Sequence, residues 1–183
     1  YLLIGKYDAF GGPIGQMFIQ SIRDRWPKLE DASIGEISEF MKEQYSEDAI
    51  PGVINVIKGK LFEHLSVAHE NADGDEWTAF LHSDETYPGS DMIMENTQNG
   101  ETIELSLKAT ENLNYIESSL IKYPEFPILT TSEIPEEYPN LEMVIASDFS
   151  NREIREITES NFEELVDTLT PFSSVSSASA VSM

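Results

Sequence analysis

With 183 residues, 40% of them hydrophobic, the chain is long enough to bury one globular core and too short for several. Its formal net charge of -23, from 34 acidic against 11 basic residues, argues against the broadly basic surface on which a protein tracks a polyanion unaided. The absence of cysteine excludes disulfides and thiolate-bound zinc, and it fits a reducing, cytoplasmic compartment. Opening at Tyr1 rather than Met, the sequence reads as a fragment or a processed product. Residues 1–22 carry Lys6, Asp8 and Gln16 among apolar side chains, which suits neither a signal peptide nor a membrane-spanning helix.

In chain order, Ile14, Met17, Phe18 and Ile22 after Pro13 have the spacing of a short amphipathic helix. Ser33 and Glu36 form a capping-box pattern, and Ile34, Ile37, Met41 and Tyr45 continue it as a helix over 34–46. Val53, Ile57, Leu61, Leu65 and Ala68 make one stripe of a longer helix over 51–69, with Glu63 beside the stripe. The segment 71–75, Asn-Ala-Asp-Gly-Asp, is turn chemistry.

Strands follow at 77–82, 91–95 and 101–109, separated by Tyr87-Pro88-Gly89-Ser90 and by a hairpin turn at 96–100. In the third strand Ile103, Leu105 and Leu107 alternate with Glu104, Ser106 and Lys108, giving one apolar and one polar face. Leu113, Ile116 and Leu120 define a helix ending before Tyr123-Pro124, and 126–130 reads as a buried strand. A further strand is expected at 141–146. Two capping-box patterns, Ser150 with Glu153 and Ser160 with Glu163, predict one broken helix or two short ones reaching Leu169. The Ser-, Ala- and Val-rich residues 173–183 are expected to be disordered.

Hydrolysis of a phosphodiester calls for a hard divalent cation to activate water, carboxylates or carbonyls to hold it, and a nearby positive charge. A strand starting at Asp91 and a hairpin partner ending at Lys108 bring an acid and a base onto one sheet face, where Glu63 can join them. His64 and His69 lie five apart and lack the i, i+4 spacing of a zinc helix, so they read as surface residues. His82 falls nearer the constellation. Asp73, Asp75 and Glu76 lack the remaining ligands of a calcium loop and read as a turn.

Gly59-Lys60-Leu61-Phe62-Glu63, then Pro88-Gly89-Ser90-Asp91, then Glu104-Leu105-Ser106-Leu107-Lys108 occur in the order helix, strand, strand, strand, helix, strand. Over residues 58–131 the chain thereby resembles the PD-(D/E)XK nuclease superfamily. The resemblance implies an α/β fold with a restriction-endonuclease-like core, a mixed central sheet flanked by helices, and extra N- and C-terminal helices. It further implies Asp91 as a metal ligand, Lys108 as the residue that orients or activates water, Glu63 as an auxiliary acid, and the Leu107 carbonyl as a further ligand of Mg²⁺ or Mn²⁺. Ser106 departs from the family's usual acid, and Glu104 is a displaced candidate for that lost ligand, though four strand residues separate it from Lys108 by roughly 13 Å.

The organisation expected is an N-terminal helical extension over 1–47, a nuclease core over 48–147, C-terminal helices over 148–170 and a tail over 171–183. The function implied is metal-dependent phosphodiester hydrolysis, with DNA as substrate, in a defence, phage or toxin system. A homodimer or a protein partner is the expected source of the missing basic surface. The alternative is an inactive domain of the same fold whose acidic surface binds protein or mimics nucleic acid.

Overall fold

The computed structural model describes residues 9–83 and 87–167. Helix α1 spans Pro13–Arg25, α2 Ile34–Gln44 and α3 Ile50–Glu70. Strands β1 (Trp77–Leu81), β2 (Met92–Asn96) and β3 (Thr102–Lys108) follow, then α4 (Leu113–Lys122), β4 (Ile128–Thr130), a short α5 (Glu133–Glu137), β5 (Val144–Ala146) and α6 (Asn151–Asp167). The five strands lie in the order β1-β2-β3-β4-β5. The first three pair antiparallel, and β4 and β5 then pair parallel to β3 and to each other. Parallel pairing requires a crossover, which α4 supplies between β3 and β4.

Local chemistry sets most of these boundaries. At the start of α2 the Ser33 side chain accepts from the Glu36 N–H at 3.3 Å while the Ser33 N–H donates to the Glu36 carboxylate at 2.8 Å. Ser150 and Glu153 close the same reciprocal pair at the start of α6, at 3.1 and 3.2 Å. The second pattern, Ser160 with Glu163, starts no helix: α6 passes through it unbroken. Ile154, Ile157, Phe162 and Leu165 are buried along one face of α6, and that continuous stripe outweighs a local capping preference. Between β4 and β5 the chain forms the short helix α5, with Pro135 inside it.

Two buried clusters use α3 as their common wall. Leu61, Phe62 and Leu65 pack with Ala79, Met92, Leu105 and Leu107 of the sheet and with Ile14, Ile154 and Ile157. Ile57 and Val53 join Phe18, Ile22, Ile37, Met41 and Phe162 in a second, helical cluster. Residues before 48 and after 147 therefore belong to the same core as the sheet, and neither position marks a break in packing. A third cluster, Ile116 with Ile128 and Ile134, seats α4 and α5 against the end of the sheet around β4. Leu105 and Leu107 thus face α3, and the alternation of β3 turns Glu104, Ser106 and Lys108 to the opposite face. Among the described residues no helix is long and apolar enough to cross a membrane. The expected disordered tail, 173–183, lies outside the described residues.

Candidate active site around Asp91 and Lys108

The approach to Asp91 is set by Gly89, whose φ is +88° and where a Cβ would lie 2.7 Å from the Tyr123 ring and 2.9 Å from the Phe126 ring. Only glycine combines that left-handed conformation with so close an approach. Asp91 then enters the sheet at the mouth of β2: its N–H donates to the Leu105 carbonyl at 2.9 Å, and its carbonyl accepts from the His82 N–H at 3.3 Å. Backbone pairing on both sides fixes where its side chain projects.

That side chain meets the end of β3. Asp91 Oδ2 accepts from the Leu107 N–H at 2.7 Å, from Lys108 Nζ at 2.8 Å and from the Ser106 hydroxyl at 3.2 Å. Lys108 Nζ also donates to the Leu107 carbonyl at 3.0 Å. The Thr130 hydroxyl donates to the Lys108 carbonyl at 2.7 Å, tying this strand end to β4. Three residues singled out from sequence, Asp91, Leu107 and Lys108, are in direct contact.

Glu63 reaches the same place from α3. It lines a cavity of about 270 Å³ together with Asp24, Lys60, His64, His82 and Asp91, and it accepts from Lys60 Nζ at 3.1 Å. Burial pushes its carboxyl pKa up, and the Asp91 charge adds to that, while Lys60 and Lys108 pull it back. Glu63 and Asp91 therefore share one electrostatic environment, in which Glu63 holds its proton more tightly than an exposed glutamate does.

Glu104 is placed differently. It pairs across the strands with Ile93, and its Oε2 lies 3.4 Å from His82 Nε2. That oxygen is buried and has no hydrogen-bond partner, so the contact with His82 is an ion pair only when the imidazole is protonated. Glu63, Asp91 and Glu104 do not draw together as a three-acid cluster. Among the described residues the acids close enough to share one ion are Glu70, Asp73 and Asp75, two of them exposed, on the turn after α3. Within that turn the Asp75 N–H donates to Asp73 and the Trp77 N–H to Asp75, the turn role expected from sequence.

His64 corrects its reading as a surface residue. Its Nε2 lies 2.6 Å from Asp24 Oδ2, and it forms part of the cavity wall shared by Glu63 and Asp91. Burial pushes the Asp24 carboxyl up, but hydrogen bonds from His64 and Gln20 and the charges of His64 and Lys60 more than offset it and hold its pKa low. Asp24 comes from α1, 40 residues away, and no sequence pattern marks it. His69 instead pairs with Asp148 at 3.0 Å and meets the Phe149 ring edge-on. His82 bonds the Ser90 hydroxyl at 2.9 Å and stacks on Tyr87, with ring centroids 4.2 Å apart.

The donors at this strand end are hard oxygens, the Asp91 carboxylate and the Leu107 carbonyl, with the Glu63 carboxyl near enough to interact electrostatically with Asp91. The Lys108 ammonium already bridges the first two, so this position accommodates positive charge. Hard oxygens are the donors that cations such as Mg²⁺ take, and Ser106 is a neutral hydroxyl where an acid would strengthen such a set. No family model matches this chain, and comparison with curated proteins and with solved structures finds no match either.

Proposed function

We propose that this chain is a metal-dependent nuclease with a restriction-endonuclease-like core, a member of the PD-(D/E)XK nuclease superfamily that hydrolyses phosphodiester bonds in DNA. The observation that carries the proposal is the position of Lys108 Nζ, 2.8 Å from Asp91 Oδ2 and 3.0 Å from the Leu107 carbonyl, at the end of a strand hairpin. The order α3, β1, β2, β3, α4, β4 supports it, since these elements follow the sequence of helix and strands that the resemblance implies.

Asp91, the Leu107 carbonyl and Glu63 would hold Mg²⁺ or Mn²⁺. When bound, such an ion lowers the pKa of a coordinated water and neutralises charge that develops on the phosphate. Asp91 is oriented for this by the Leu107 N–H and the Ser106 hydroxyl, which keep its carboxylate at the strand end. Lys108 supplies a charged donor that can orient the attacking water or a phosphate oxygen. Burial raises the Glu63 carboxyl above its ordinary pKa, so its proton is held more tightly than on an exposed glutamate, which suits it to take part in proton exchange at the site.

The test is cleavage of supercoiled plasmid, linear DNA and RNA with Mg²⁺, Mn²⁺ or EDTA by wild type, Asp91→Ala and Lys108→Ala. Metal-dependent cleavage lost in both variants supports the proposal. Inert wild type that also binds no Mn²⁺ by calorimetry refutes it. A second reading, an inactive domain of this fold that binds protein through its acidic surface, is favoured by Ser106 in place of an acid and by the net charge of -23. That second reading predicts the inert, metal-free outcome.

A further inference from the structure

Basic residues are scarce in this chain, and their placement is uneven. Lys60 lines the cavity beside Glu63 and Asp91. Lys108 and Lys122 line a second cavity of about 290 Å³, and Lys58 and Arg155 a third of about 500 Å³. Asp91 borders the first and second of these cavities, and Tyr115 borders the second and third, so the three adjoin. Among the described residues, the linings of these three cavities bring together five Lys and Arg residues, Lys58, Lys60, Lys108, Lys122 and Arg155, with four acids, Asp24, Glu63, Asp91 and Glu111. In a chain of net charge -23, that local enrichment in cations favours a polyanion along these adjoining cavities.

The third cavity has the makings of an anion site. Lys58 on α3 is only 5% exposed. Its Nζ donates one hydrogen bond, to Asn151 Oδ1, although an ammonium has three donors. Asn151 is itself locked, since its Nδ2 donates to Glu111 at 2.7 Å and its N–H to Glu133 at 2.8 Å. Arg155, one turn further along α6, faces the same cavity and among the described residues makes a 3.4 Å contact with Asn55 and a 3.9 Å contact with Glu159. Burial and then the Arg155 charge depress the Lys58 pKa, with Glu111 and Glu133 opposing them. Two cations facing one cleft repel each other, and an anion between them relieves that repulsion. Thr110 and Asn112, on the segment that continues from Lys108, bring neutral polar groups to the same wall.

We propose that the cavity between Lys58 and Arg155 is a phosphate subsite, which holds a backbone phosphate of the substrate strand where it leaves the Asp91–Lys108 pair past Tyr115. As a substrate subsite it rests on the nuclease reading; as an anion site it rests on Lys58 and Arg155 alone. Tyr115, with 50% of its surface exposed, stands between the two positions and offers a face on which a base can stack. The shared chemistry is a phosphate group, and a strand phosphate and free phosphate are separated by the two arms of the test.

The first arm titrates ¹⁵N-labelled protein with inorganic phosphate and follows the amides of Thr110, Asn112 and Asn151. Saturable shifts at these amides that vanish in Arg155→Ala support the site; their absence, or shifts unchanged in that variant, overturns it. Arg155 is chosen because its side chain is 43% exposed and its loss leaves the core intact, whereas replacing buried Lys58 changes packing as well. The second arm measures oligonucleotide cleavage. Arg155→Ala lowers kcat/KM roughly tenfold, chiefly through KM, as expected for loss of one charged hydrogen bond, while Arg152→Ala, an exposed cation on the same helix, does not. Equal kinetics for wild type and Arg155→Ala overturn the strand-binding role even if free phosphate binds. A wild-type protein that cleaves nothing and binds no Mn²⁺ refutes the nuclease reading, and the phosphate titration then decides the anion site by itself.

Discussion

On the nuclease proposal, replacing Lys108 by alanine should tighten divalent-cation binding while abolishing cleavage. In the present geometry Lys108 Nζ occupies the space between Asp91 Oδ2, 2.8 Å away, and the Leu107 carbonyl, 3.0 Å away. An ion bound to both oxygens at about 2.1 Å leaves no room for the ammonium, so these contacts must break first. The Lys108 and Asp91 side chains are 18% and 29% exposed, which limits the ion pair to about 0.5–1 kcal/mol after solvent screening. The bond to the carbonyl adds about 0.5–1 kcal/mol. Removing both costs therefore favours the ion by about 1–2 kcal/mol, or about five- to thirtyfold in Kd. Asp91 does not drift in the variant, because the Leu107 N–H at 2.7 Å and the Ser106 hydroxyl at 3.2 Å still hold the same oxygen. Calorimetric titration with Mn²⁺ at low salt measures the difference. A background of Asp73→Asn with Asp75→Asn removes the exposed acidic turn as a competing site. Equal or weaker Mn²⁺ binding in Lys108→Ala would refute the reasoning, as would binding that survives Asp91→Ala.

Ser106→Asp sets a second carboxylate beside Asp91 at a position only 4% exposed; without metal it should cost about 2–3 kcal/mol in urea unfolding, and Mn²⁺ should recover most of that loss. A variant whose stability ignores Mn²⁺ would argue against an ion at Asp91. The Glu63 carboxyl pKa is raised above its ordinary 4.5, chiefly by burial, so the folded state binds its proton more tightly than the unfolded chain does. Ionisation therefore costs stability as pH rises through that window. Glu63→Gln should stabilise the protein at neutral pH, with the gain fading as pH falls and absent below the ordinary value; a gain constant from pH 4 to 8 would contradict this. Gly89→Ala should lose about 2 kcal/mol or more in thermal or urea unfolding, because it joins a φ of +88° to a 2.7 Å approach to the Tyr123 ring; a neutral result would show that this turn relaxes freely.

The features that could be read directly from the sequence are those whose causes lie within a few residues. Ser33 with Glu36 starts a helix because both bonds of the box close over three residues, and the alternation from Ile103 to Lys108 is a property of one strand. The turn at 96–100 was equally local: the Asn96 side chain accepts from the Gln98 and Asn99 N–H groups, and the Gly100 N–H reaches the Asn96 carbonyl. Asp91 and Lys108 were visible because a hairpin register carries them to neighbouring strand ends.

Tertiary packing decided what sequence spacing could not. Ser160 and Glu163 form a capping pattern that the buried stripe of α6 overrides. Glu104, read as a stand-in ligand, lies against His82 just past the end of β1, because sheet packing rather than proximity in sequence fixes its neighbour. Asp24 reaches His64 only because α1 packs along α3, and Lys58 meets Asn151 across 93 residues because α6 returns to the same wall. Sequence by itself marked most of the helices and strands, though not α5, and which acid and base share a hairpin. Only the folded chain decided which charges share a cavity, since burial and charge pairing depend on distances that long-range packing sets.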